Sequence, residues 1–297
     1  MIRSILLFIT LFISTIISAQ RLDHHDILLM EIRQNPDGSW QTFPPSFITA
    51  FNRSGYNNQP KFFNDYSLWL TVQNSTDTTQ TDIYQLDLIK KALVRITNTP
   101  STSEYSPTPM PGGQRFSAVR VDEDNQQRLW TFPLDGSDNG RSEFPDILNV
   151  GYHCWLGDKT IAFFIVGDDA NPHTLQILDV NNKNLRKIAS NIGRCLLQTT
   201  DGKLAFVQKP TNQTWFLKTW NPVNNTQDIL VKMPTETEDF AQLSDGTFIC
   251  GSGPKLYSYK SGKDQDWRQV SDLSRFGVKT ITRLTSNKSG KLAVVVE

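Results

Sequence analysis

A basic excess is missing from this sequence: 30 Lys and Arg stand against 30 Asp and Glu, giving a formal net charge of zero. A general nucleic-acid binder needs a cationic surplus to release counterions from phosphate, so that class is excluded, as is a polybasic membrane-surface protein. Charge of either sign is sparse at 20% of residues, which sets aside long charged helices and coiled coils. Cysteine is rarer still, with Cys154, Cys195 and Cys250 alone. An odd, scattered set is not a disulfide framework. Their strand-like neighbours, as in His153-Cys154-Trp155 and Phe248-Ile249-Cys250, mark them as small buried hydrophobes, with a Cys154–Cys195 bridge as the one pairing left open. No close Cys or His spacing suits a metal, and the adjacent His24 and His25 read as solvated, so neither metal nor cofactor is expected. No long amphipathic helical stretch occurs.

What is present begins with an export signal. Arg3 supplies a positive start, Ile5 to Ile17 is an apolar run broken only by Thr10, Ser14 and Thr15, and small Ser18 and Ala19 follow. The run is shorter than the ~20 residues of a membrane-spanning helix, and no later segment is apolar enough to span. The expectation is a signal peptide over 1–19, one domain over 20–297, and an exported, periplasmic or extracellular monomer. The 17 Phe, 7 Trp and 7 Tyr supply a packed core.

Turn signals then recur at a fixed interval. Asn64-Asp65, Gly112-Gly113, Gly157-Asp158, Asp201-Gly202, Asp245-Gly246 and Ser289-Gly290 are each followed by a β-rich run, such as Leu68-Trp69-Leu70-Thr71-Val72 or Leu292-Ala293-Val294-Val295-Val296. The spacing is close to 44 residues throughout, which marks a repeat architecture. Each unit reads as four short strands with tight turns between them, for example at Asn181-Asn182 and Ser261-Gly262. Six such units predict an all-β, six-bladed β-propeller of four-stranded blades. The sixth unit stops at Glu297 after two strands. Asp26 to Arg33 alternates like a third strand, and Trp40 to Phe43 like a fourth, so N-terminal strands are expected to complete the last blade and remove two open edges.

The segment Ser106-Pro107-Thr108-Pro109-Met110-Pro111-Gly112-Gly113 followed by Phe116 resembles the Ser-Pro-x-Trp-Ser-Pro-Asp-Gly-Lys turn of TolB-like propeller repeats. Weaker copies are Trp155-Leu156-Gly157-Asp158-Lys159, Thr200-Asp201-Gly202-Lys203, Ser244-Asp245-Gly246 and Ser286-Asn287-Lys288-Ser289-Gly290-Lys291. The resemblance covers residues 20–297 as a fold and implies a bacterial source. TolB carries in addition an N-terminal α/β domain holding part of its partner binding, and residues 20–60 do not provide one. The resemblance therefore extends to the propeller alone.

Propellers bind at the mouth of their central channel. Superposing the units on their turns brings Gln59, Ser106, Tyr152, Cys195, Asp239 and Arg283 into one ring, and Asn58, Tyr105, Gly151, Arg194, Glu238 and Thr282 into the ring before it. Asn58, Gln59, Tyr105, Tyr152, Arg194, Glu238, Asp239 and Arg283 are the candidate binding residues. Arg194 and Arg283 would supply bidentate donors for a carboxylate, Glu238 and Asp239 acceptors, and the two tyrosines stacking surfaces. Alternatively the arginines pair with the carboxylates and plug the channel.

A catalytic set is not evident. Glu238 and Asp239 are sequence neighbours, which point to opposite faces of a strand and cannot flank one glycosidic bond. No Gly-x-Ser-x-Gly elbow exists, and Gly251-Ser252-Gly253 reads as a hairpin turn. Asn58, Glu238 and Asp239 imitate part of the calcium set of six-bladed lactonases, but Arg194 and Arg283 would repel the cation. The tryptophans Trp69, Trp130, Trp155, Trp215 and Trp220 read as packing between blades, while Trp40 and Trp267 are expected to be exposed. Sequons at Asn52, Asn74, Asn212, Asn224 and Asn287 matter only in a eukaryotic host. The expectation is an exported, non-catalytic propeller that binds a protein, peptide or cell-envelope component at its rim. The alternative is a small-ligand sensor or a hydrolase- or lactonase-like enzyme with its site at the channel mouth.

Overall fold

A computed structural model describes residues 22–73 and 80–297 of the chain. The proposed export segment 1–19 and the sequon at Asn74 lie outside the described residues. The rest forms six antiparallel sheets, and the predicted six-bladed propeller is what the chain adopts. Blades 1 to 5 follow one another over 56–95, 103–142, 150–190, 192–232 and 240–272, each with its four strands in sequence order. Blade 6 is built from both ends. From the channel outward it runs Ile281–Ser286, Lys291–Val296, Asp26–Gln34 and Trp40–Thr42, and Ser46–Phe47 also pairs with Asp26–Gln34.

The seam of blade 6 is an ordinary antiparallel ladder, from Asp26 opposite Val296 to Glu31 opposite Lys291. Period two decides what each residue does there. Leu28, Met30 and Ile32 face blade 5 together with Leu292, Val294 and Val296, while Ile27, Ala293 and Val295 face blade 1. Six apolar clusters account for the core, and each joins two neighbouring blades. The second strand of every blade is covered on both faces, and this is why these strands read as unbroken apolar runs: all seven residues of Ser67–Gln73 are buried. The outermost strands are solvated on one side and carry charge, as in Asn184–Ser190 with Arg186 and Lys187, which discourages edge-to-edge pairing.

The repeated turn closes the hairpin between first and second strands. The amides of Thr199, Leu243 and Asn287 each donate to the carbonyl four residues on, at 2.8, 2.8 and 3.0 Å. Gly202, Gly246 and Gly290 sit there at φ +82°, +89° and +86°, a conformation costly for any residue with a Cβ. At Gly290 a Cβ would also come within 2.8 Å of the Ile32 carbonyl oxygen, so this glycine serves the seam as well as the turn.

Several local expectations are settled. Trp69, Trp155 and Trp220 are buried between blades. All three cysteines are free thiols. Trp40 and Trp267 are half-buried rather than exposed: Trp40 packs against the blade 5–6 cluster, and Trp267 donates its indole N–H to the Lys232 carbonyl at 3.0 Å. His25 is also not simply solvated, because its Nε2 lies 3.0 Å from Glu297 Oε1 across the seam and its ring meets Tyr56 edge-on. Asn52 and Asn287 are buried and hydrogen-bonded, which removes them as glycan acceptors in the folded protein.

Candidate functional site

The innermost strands run down the channel wall from an upper mouth, where each strand begins, to a lower mouth at the repeated turns. Near their upper ends most of them break register. Bulges or irregularities fall between Asn58 and Lys61, Tyr105 and Thr108, Val150 and Tyr152, Ile192 and Leu196, and Ile281 and Arg283. A bulge inserts an unpaired residue and re-aims its side chain. Gln59 and Ser106, at equivalent places, adopt φ +50° and +57° as a result. The turn-based alignment identified the ring positions, but it carried no sign of these bulges.

The six residues of one predicted ring, Gln59, Ser106, Tyr152, Cys195, Asp239 and Arg283, all line a single cavity of about 110 Å³ at the upper mouth. Of the preceding ring only Arg194 reaches it. Asn58 is buried in the wall, where its Oδ1 accepts from the Gln59 amide at 2.8 Å. Tyr105 packs against the apolar cluster between blades 2 and 3. Glu238 lies in an adjoining cleft between blades 5 and 6. Alternation along the strand turns these residues away, and Arg194 returns because its side chain is long.

Ion pairs cross the cavity. Arg194 Nη2 lies 2.6 Å from Asp239 Oδ2 and donates to the Thr282 carbonyl at 2.9 Å, while its Nη1 is 3.3 Å from Glu238 Oε1. Glu238 is also paired with Lys209. Arg283 Nη1 stands 3.9 Å from Asp239 Oδ1, and its Nη2 donates to the Tyr152 hydroxyl at 2.7 Å. Blade 6 faces blade 3 across a six-membered ring, so the Arg283–Tyr152 bond spans the channel like a bolt. The structure thus brings Tyr152, Arg194, Asp239 and Arg283 together as a paired set, with both arginines engaged.

Burial works against the charge of Arg283, but Tyr152 and Asp239 outweigh it and raise its pKa above the usual range. Burial likewise opposes ionisation of Glu238, yet Arg194 and Lys209 prevail and lower its pKa. The Cys195 thiol, pushed up to about 12 by burial and then by Asp239, is held as an unreactive hydrogen-bond donor to the Phe240 carbonyl at 3.2 Å. Among the described residues three buried polar atoms of residues lining the cavity, Ser106 Oγ, Arg194 Nε and Asp239 Oδ2, have no hydrogen-bond partner, and Asp239 Oδ2 is held by its ion pair with Arg194. Lys61 lines the cavity lower down and forms no ion pair with any described residue. Around the mouth four cationic side chains, Lys61, Arg194, Lys209 and Arg283, face two carboxylates, Glu238 and Asp239. Sequence reasoning missed Lys61 and Lys209: Lys61 lies two residues past the aligned ring, and Lys209 comes from a second strand. Among the described residues no three His, Cys, Asp or Glu side chains gather as metal ligands.

A six-bladed propeller with a charged, bolted upper mouth is therefore the class of protein defined by fold and site. No protein-family signature matches the chain, and no curated protein sequence matches it. Among solved structures it is similar to a protein assigned as TolB from Agrobacterium tumefaciens, at 9% identity and TM-score 0.62 over 92% of this chain and 98% of that one. It is similar also to TolB from Acinetobacter baumannii (14% identity, TM-score 0.57), covering 92% of this chain and 64% of that one. A puromycin hydrolase is matched at 14% identity and TM-score 0.58, over 91% of this chain and 50% of the hydrolase. The chain thus spans about two thirds and half of the lengths of these last two. The fold resembles that of TolB-like proteins, and at these identities the likeness is one of fold. Among the described residues no helix is long and apolar enough to cross a membrane.

Proposed function

We propose that this chain is an exported binding propeller whose upper channel mouth holds the carboxylate of a small polar ligand. One observation carries the reading: six equivalent positions, one per blade, line the same cavity, and the side chains around it are cationic in excess. A ligand carboxylate would take the bidentate geometry of Arg194 or Arg283 in competition with Asp239, and Ser106 Oγ and Arg194 Nε would gain the partners they lack. Catalysis is not part of the proposal, since burial pushes the Cys195 thiol up to about 12 and Ser106 Oγ is hydrogen-bonded to no base among the described residues. The apolar segment 5–17 and the likeness to TolB support an exported, periplasmic setting.

A second reading is favoured by the bolt. A cavity of about 110 Å³ is well below the ~300–1,000 Å³ of whole-ligand pockets, so the inserted group could be the carboxylate of a protein, peptide or envelope component seated on the rim. Calorimetric titration decides between them. Free small dicarboxylates should bind the wild type, their diamides should not, and Arg194→Met and Arg283→Met should each weaken binding by roughly tenfold or more. Equal binding of acids and amides would overturn the proposal. Binding of free-acid peptides alone would transfer it to the second reading.

A further inference from the structure

The lower mouth differs from the upper in size and in charge pairing. A cavity of about 580 Å³ opens there, and a second of about 440 Å³ adjoins it through Phe62, Thr200, Gln242 and Ser286. Volumes of this order fall in the range of sites that enclose a whole small molecule. The larger one is walled on one side by Met110 and Trp155 and reaches up the channel to Lys61, where it meets the upper cavity. Lys61 is half-buried and has no carboxylate within ion-pair distance among the described residues. A part-buried ammonium without a counterion is unfavourable, and an anion delivered to it from solvent relieves that cost. Two further lining side chains, the Gln198 amide and the Thr285 hydroxyl, have no hydrogen-bond partner among the described residues, whereas Gln242 is already engaged by Thr200 and Gly246.

We infer that the lower vestibule is a second binding site, distinct from the upper mouth, for a small hydroxylated organic anion of the sugar-acid class. Its carboxylate meets Lys61, its hydroxyls meet Gln198 and Thr285, and one carbon face lies against Trp155 and Met110. A single ammonium matches one negative charge, and the amide and hydroxyl supply both donors and acceptors for hydroxyl groups. The upper mouth is built on the opposite plan, with guanidinium groups already matched to carboxylates.

Trp155 lies in the wall, so its fluorescence reports occupancy. Galacturonate and gluconate are titrated against the full chain, with galactose as the neutral control and inorganic phosphate as the anion without a carbon skeleton. Saturable binding of the sugar acids is expected at millimolar concentration or below, with galactose at least about tenfold weaker. Lys61→Met should weaken sugar-acid binding by roughly tenfold or more, Lys61→Arg should retain most of it, and Thr285→Val should cost a few-fold. Because Arg283 lines the upper cavity and not the lower one, a Trp155 response that is lost in Lys61→Met but persists in Arg283→Met, whose dicarboxylate binding is weakened in calorimetry, separates the two sites. The inference is overturned if neither acid binds, if galactose or phosphate binds as well as the acids, or if Lys61→Met binds like the wild type.

Discussion

The layers between blades and the channel they surround are made from the same strands, yet they follow different rules. Between blades the chain is dry: Phe163, Phe206 and Leu70 are fully buried, and neighbouring sheets meet through rings such as Trp69 and Phe116, whose centroids are 4.8 Å apart. In the channel the same inner strands present Arg194, Asp239, Arg283 and Lys61. Geometry explains the division. Six twisted sheets can close face to face with apolar side chains, but their innermost strands surround an open channel along the axis. Long charged side chains reach across that gap, and the Arg283–Tyr152 bond does so over the full diameter. Stability therefore belongs to the layers, while the channel carries the paired charged groups.

The comparison can be broken most severely at the seam. Deleting residues 22–47 removes the outer half of blade 6 and exposes the apolar faces that meet blades 5 and 1. Loss of a cooperative melting transition is expected in calorimetry, and a sharp transition at the wild-type temperature would refute the idea that the ring closes through these strands. Next in size, Phe163→Ala should cost about 3–5 kcal/mol in urea denaturation, because the ring is fully enclosed between blades 2 and 3. A cost below 1 kcal/mol, on the scale of an ordinary surface substitution, would mean the layer collapses around the void.

One polar group lies inside a dry layer and gives a pH handle. His153 is buried with Nε2 2.6 Å from Ser117 Oγ, which also accepts the Trp155 indole N–H at 2.9 Å, and its Nδ1 has no partner. Burial, then the charge of Lys61, lowers its pKa from 6.5 to about 3. Between those values the unfolded chain binds one proton more than the folded one, so stability is fully present above pH 6.5 and falls with pH. The loss is about 1.4 kcal/mol per unit, or roughly 2 kcal/mol at pH 5. Denaturation at pH 5 and pH 7 should show this slope in the wild type and a shallower one in His153→Gln. Equal slopes would place the acid sensitivity elsewhere.

The smallest effect belongs to the channel. Tyr152→Phe removes the bolt while keeping the ring, and should cost about 1 kcal/mol or less, since Arg283 retains Asp239. A cost comparable to that of Phe163→Ala would make the channel a structural element equal to the layers.

Much of this was legible in the sequence, for a reason visible at individual residues. Gly202, Gly246 and Gly290 hold a backbone conformation that other residues resist, so they stand out at equal spacing. Leu28, Met30 and Ile32 alternate with Ile27 because the strand has two buried faces, and this made the closing blade readable. The candidate site was legible as a set of positions and less so as a set of contacts. Asn58 and Tyr105 occupy the expected strand positions but face the wall. The register shifts that decide which side chains enter the channel leave no pattern in composition. Lys209 enters from a second strand, and His25 finds Glu297 some 272 residues away, so neither pairing has a local signature.

The sequence by itself determined the number of blades, the hairpin turns and the closure of the ring, because each follows from local backbone preference and from the period-two burial of apolar side chains. Only the tertiary structure decided that both arginines of the upper mouth are paired, that Tyr152 meets Arg283 across the axis, and that Lys61 has no counterion among the described residues. Those outcomes depend on distances between blades, set by how six twisted sheets pack around an axis, and such distances are not encoded within any one repeat.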